Sequence, residues 1–177
     1  GTQESLITPA AIPASFATTT SSTITGYSAT ISSNITSNNG ATVTSRGVCY
    51  SLTQSPTTAN NPQTSGSGIG SYSINITGLL PNTTYYVRSY AINSVGTGYS
   101  SQISFTTADI PTLTTMDISN ISKFAASSGG YIDDEGTSSV TAKGVCWSTT
   151  TNPTTANSKT SNGTGAATYS SSITSLN

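Results

Sequence analysis

The chain has 177 residues, of which 6% are charged, 33% are hydrophobic and none is His, and its formal net charge is -1. With 35 Thr and 33 Ser, small hydroxyls take the surface place that Lys, Arg, Asp and Glu hold in a typical domain, where they make up about a quarter of residues. Five scattered cations form no phosphate-binding patch, and no stretch approaches the roughly 20 apolar residues of a membrane-spanning helix. The 9 Tyr, 3 Phe and 1 Trp, with abundant Val, Ile and Thr, are the wrong composition for a disordered tail.

The predicted elements are all strands. In chain order they cover 14–19, 23–33, 43–51, 71–77, 84–93 and 99–107, with one or two short strands between 52 and 70. Tyr85 to Ala91 alternates β-prone residues, and Ile74 to Thr77 and Gln102 to Phe105 show the period of two that marks a half-buried strand. Turn signals recur at Asn38-Asn39-Gly40, Ser65-Gly66-Ser67-Gly68, Leu80-Pro81-Asn82 and Val95-Gly96-Thr97-Gly98. No segment holds a helical apolar period. Short strands punctuated in this way predict an all-β fold of antiparallel sandwiches, of the fibronectin type III or immunoglobulin-like type. Leu79 to Tyr85 has the Leu-x-Pro-x-Thr-x-Tyr spacing of a tyrosine corner, in which a buried Tyr85 hydrogen-bonds back to the preceding loop. Val87 and Ala91 share its face and are expected in the core.

The chain also repeats itself. Arg46-Gly47-Val48-Cys49-Tyr50-Ser51 recurs as Lys143-Gly144-Val145-Cys146-Trp147-Ser148 at an offset of 97 residues. Ser55 to Asn60 returns as Asn152 to Asn157, and Ile76 to Leu79 as Ile173 to Leu176, in the same register. Ile12-Pro13 matches Ile110-Pro111 one residue further on, so a residue is gained or lost near the start. The domain boundaries expected from this are 1–11 as the last strand of a preceding copy or a linker, 12–108 as a complete repeat, and 109–177 as a second repeat lacking its last strands. The 177 residues therefore read as a window on a longer tandem array.

Each repeat resembles a fibronectin type III-like domain. The Arg46 to Ser51 segment, the Pro56 to Asn60 segment and the run from Leu80 to Gly96 are similar to repeats in very large surface proteins of Bacteroidota. Proteins of that kind are often exported by the type IX secretion system and include gliding-motility adhesins. The resemblance implies an extracellular, cell-surface location. It also implies structural stalk or spacer repeats of a long secreted adhesin or filament, acting in gliding motility or attachment. Its partners would be neighbouring repeats of the same chain, and surface glycans or secretion and anchoring proteins. A second reading is a glycan- or protein-binding β-sandwich module, and a third is an accessory region of a secreted hydrolase. Tyr27 and Ala29 stand where an ordinary type III domain has a Trp on its second strand, and the large core aromatic is expected to have moved to Tyr50 and Trp147.

Few residues offer chemistry. Cys49 and Cys146 hold the same place in successive repeats, on the order of 30 Å apart in a linear array, too far for a mutual disulfide. They read as buried thiols acting as small hydrophobes, with an intermolecular bridge or a reactive thiol as the alternative. Asp133, Asp134 and Glu135 form the one run of adjacent acids, in a predicted loop, and read either as a solvated turn or as oxygen ligands for calcium. No other cofactor is expected. Without His, neither the Ser-His-acid and Cys-His constellations nor the common zinc sites can be built, and 12–108 contains no Asp or Glu for a carboxylate pair. An enzyme is not expected here. Tyr86, Tyr90 and Tyr99, read as exposed, are either an aromatic face for sugars or cross-strand packing on the outer sheet.

Overall fold

The computed structural model describes residues 13–176. The described residues form fourteen β-strands and no helix, so no helix is long and apolar enough to cross a membrane. The chain divides into two compact units, Gly1–Ala108 and Asp109–Asn177.

The first unit is an antiparallel β-sandwich. One sheet is built on β3 (Ser28–Ser37), which pairs on one side with β6 (Gly70–Thr77) and on the other with β1 (Ser15–Phe16) and β2 (Thr20–Ser22) in succession. The facing sheet runs β5 (Gln63–Thr64), β4 (Ser45–Ser51) and β7 (Thr84–Asn93), followed by β8 (Gly96–Tyr99) and β9 (Ile103–Thr106), both paired to β7. Strict alternation in β3 turns Ala29, Ile31, Ser33 and Ile35 inward. They meet Val48, Val87 and Ala91 of the facing sheet, all fully buried. Burying an aliphatic side chain of this size contributes roughly 1.5–3 kcal/mol, so these few residues supply much of the force that holds the two sheets together.

Two expected strands differ in their limits. The strand expected at 23–33 begins at Ser28 and runs to Ser37, because Thr23 takes a positive φ of 47° and Thr25 to Ser28 form a turn. The strands expected at 14–19 and 99–107 are each interrupted, at 17–19 and at 100–102. The cause is a buried knot of hydroxyls: Thr19 Oγ1 lies 3.2 Å from Ser33 Oγ, 3.0 Å from Ser89 Oγ and 3.1 Å from Ser100 Oγ. Buried hydroxyls must find partners, and turning Thr19 and Ser100 inward for this bends both edge strands out of their ladders.

The second unit contains β10 (Thr112–Ser119), β11 (Ala125–Asp134) and β14 (Tyr169–Thr174) in one sheet, and β12 (Cys146–Trp147) with β13 (Ser158–Lys159) in another. Its registers repeat those of the first unit at the same offset of 97. Ala29↔Ile76 becomes Ala126↔Ile173, Ser33↔Tyr72 becomes Gly130↔Tyr169, and Phe16↔Ile35 becomes Leu113↔Ile132. Even the register shift between Ser15 and Phe16 recurs between Thr112 and Leu113. The residue gained or lost near the start therefore falls before Thr112.

Candidate functional site

Tyr85, the second residue of β7, has its ring buried between Tyr50 and Phe105, at centroid distances of 6.1 and 6.0 Å. Its hydroxyl accepts a hydrogen bond from the Leu80 amide at 3.0 Å. Thr107 closes the same corner: its hydroxyl donates to the Leu80 carbonyl at 2.6 Å and accepts from the Thr83 amide at 2.9 Å. The corner clamps the loop before β7 to the end of β9, so the chain leaves the sandwich from a fixed point. Tyr50, half-buried against Tyr85, and its counterpart Trp147, half-buried on β12, are not the core aromatics expected at these positions; the buried rings are Tyr72, Tyr85, Tyr90, Phe105 and Tyr169.

The two cysteines differ. Cys49 is fully buried, its thiol 3.5 Å from the Arg88 carbonyl, and burial pushes its pKa up to about 11. That thiol is protonated and unreactive at neutral pH. Cys146 is half-exposed and its thiol donates to the Pro153 carbonyl at 3.4 Å.

The acidic run is not gathered into a cage. Asp133 accepts from the Thr114 hydroxyl, Asp134 from the Gly136 amide and Glu135 from the Val140 amide. Each carboxylate thus serves its own strand or turn. Among the described residues no group of three or more His, Cys, Asp and Glu side chains comes together where it could hold a metal ion.

The tyrosines read as exposed need correction. Tyr90 is buried, lying over Gly47 with its hydroxyl 3.0 Å from Thr64 Oγ1. Tyr99 is half-buried, with the Arg88 guanidinium 4.4 Å above its ring and its hydroxyl accepting from the Thr58 amide. Tyr86 is half-buried too. No open aromatic platform is formed by the three, because β4 offers a glycine that lets Tyr90 sink and Arg88 covers the face of Tyr99.

Both units carry a clasp that sequence reading missed. Arg46 donates to the carbonyls of Ser65, Gly68, Ile69 and Gly70 and lies 4.9 Å over the Tyr72 ring, whose hydroxyl donates to the Gly47 carbonyl at 2.8 Å. Lys143 does the same work, donating to the Gly165 and Ala167 carbonyls, 5.8 Å over Tyr169, whose hydroxyl donates to the Gly144 carbonyl at 3.0 Å. The signal was present as a cation paired with an aromatic 26 residues on in each copy. A shallow groove of about 620 Å³ also opens in the first unit, lined by Phe16, Thr18, Thr19, Tyr99, Ser101 and Ile103 among others, where the interrupted edge strands part.

No protein-family model matches the chain, and no curated protein matches it.

Proposed function

We propose that these units are structural stalk or spacer repeats of a long secreted cell-surface protein, an adhesin or filament of the Bacteroidota type, holding a working region away from the cell. One observation carries the reading: two successive units reproduce the same strand registers and the same cation-aromatic clasp position for position. Repetition of one strand pattern under a surface of uncharged hydroxyls is what a spacer requires. Neighbouring repeats are its principal partners, and neither catalysis nor a cofactor enters.

Single-molecule stretching of the native protein tests the reading. A stalk gives a series of equal unfolding steps, each releasing a chain of about 97 residues, on the order of 300 Å when extended. A single step, or steps of unrelated length, would overturn it. The glycan-binding reading has less support, since Tyr90 and Tyr99 are taken up by packing.

A further inference from the structure

A sandwich of two sheets has four edges, and in the first unit three of them are broken or short. The β1 and β2 edge carries a register shift between Ser15 and Phe16 and is interrupted at 17–19. The β8 and β9 edge is interrupted at 100–102, and β5 is two residues long. The fourth edge, β6, is continuous. Its ladder with β3 runs unbroken from Ser28↔Thr77 to Ile35↔Gly70, and among the described residues no strand pairs with its other side. The strands that follow it, β7, β8 and β9, all join the facing sheet, so the opening belongs to the fold of the unit itself. Exposed edges are ordinarily guarded against pairing by Lys, Pro, a bulge or short length. Residues 70–77 include no charged residue and no Pro, and their ladder has neither a bulge nor a break.

We propose that β6 is a self-association edge, at which the β6 strands of two copies of this chain pair antiparallel and join their sheets into one. Three observations select a second copy as the occupant. The edge is uncharged and the net charge of the chain is only -1, so two copies meet without the repulsion that like charges impose across a strand pair. The side-chain pattern is self-complementary. Tyr72 and Ile76 are buried and Ile74 half-buried, while Ser71, Ser73, Asn75 and Thr77 are exposed. Opposed residues of an antiparallel pair share a face, so apolar residues stay inward only in registers that oppose odd-numbered residues to odd-numbered ones. The register that uses all of 71–77 centres on Ile74, and it opposes Ser71 to Thr77, Tyr72 to Ile76 and Ser73 to Asn75. Ile74 is itself the third observation. Its partner on β3, Ile31, has strands on both sides and is fully buried, whereas Ile74 packs against the same core and stays half-buried at the open edge. A second Ile74 across the seam covers it. In the second unit β14 is six residues long and Asn162 already donates to its Ser170 carbonyl at 2.6 Å, which confines the proposal to β6. It rests on the fold alone and stands whether or not the units are spacers.

Sedimentation of the 177-residue chain under reducing conditions tests it, from about 10 μM to about 1 mM, the weak range suited to an interface of one strand pair. A reversible monomer to dimer equilibrium is expected. Ser73→Lys combined with Asn75→Lys changes two exposed side chains and sets like charges across the seam, so it should weaken the dimer at least about tenfold. Ser73→Thr combined with Asn75→Thr adds no charge and should associate like the wild type, which separates repulsion from a damaged fold. The register has its own check. In a Cys146→Ala background, Ser73→Cys and Asn75→Cys proteins mixed and oxidised should crosslink to each other and not to themselves, because only opposed residues come within disulfide reach. A chain that stays monomeric up to about 1 mM overturns the inference. So does a dimer that the two lysines leave intact, or crosslinking of each cysteine variant to itself as readily as to the other.

Discussion

Gly47 has to lack a side chain for a reason visible in its neighbours. A Cβ there would run into the Gln63 carbonyl and come within 2.8 Å of the Tyr90 hydroxyl. Gly47→Ala should therefore lower the stability of the first unit by roughly 1–3 kcal/mol, the cost of overpacking, as urea denaturation would show. Gly144 faces the Thr160 carbonyl in the same way. Cys49 gives a pH dependence. Its thiol is raised from 9.0 to about 11 because burial disfavours the thiolate, so the fold holds the neutral form. The corresponding stability is fully present below pH 9 and is lost as pH rises toward 11, about 2–3 kcal/mol in all. Relative to the wild type, Cys49→Ala should show a flatter fall in stability between pH 8 and pH 11 when both are unfolded chemically. At this scale the sequence was informative where a residue acts with its chain neighbours. The tyrosine corner was readable because the ring and the loop it bonds back to lie within Leu79 to Tyr85, although Thr107, which closes it, comes from the end of β9. The burial of Tyr90 was not, because it depends on the absence of a side chain on a strand 43 residues earlier.

At the level of elements, strand existence was legible and strand limits were not. Alternation located β4, β6 and β7 to within two residues, whereas β3 begins five residues later and ends four residues later than expected. The breaks between β1 and β2 and between β8 and β9 escaped, since Thr19, Ser33, Ser89 and Ser100 come from four segments and each looks like any other hydroxyl in a chain with 68 of them. Their junction makes a specific prediction. Thr19→Val keeps the shape but removes the oxygen that meets the three serine hydroxyls, so it should cost roughly 1–3 kcal/mol, the penalty for buried polar groups that lose a partner. Thermal unfolding of the variant checks this, and an unchanged midpoint would show that the hydroxyls find other partners. The clasp of Arg46 on Tyr72 belongs to this scale too. It joins β4, β6 and the loop between them with one guanidinium.

For the whole molecule, the internal repeat was the most legible feature, because a fixed offset of 97 is visible without any knowledge of contacts. The structure carries that offset into registers, turns and hydrogen bonds, down to paired positive φ values at Thr23 and Asn120 and at Ser55 and Asn152. What the repeat does for a cell is a separate matter, and no spacing in the chain spells it out. The composition has one physical consequence for any such role. The span 12–108 has no acid, and its two cations, Arg46 and Arg88, are taken up by carbonyls and aromatic rings. Its stability should therefore move little between 0.05 and 1 M NaCl, although the screening length shrinks to roughly 3 Å at the upper limit. A melting temperature that shifts by many degrees with NaCl would contradict this.

The spacer reading is tested most directly by antibody raised against the 177-residue chain, applied to intact cells of the source organism before and after brief surface proteolysis. The account predicts label on unpermeabilised cells that proteolysis removes. Label that appears only after the cells are opened would contradict it.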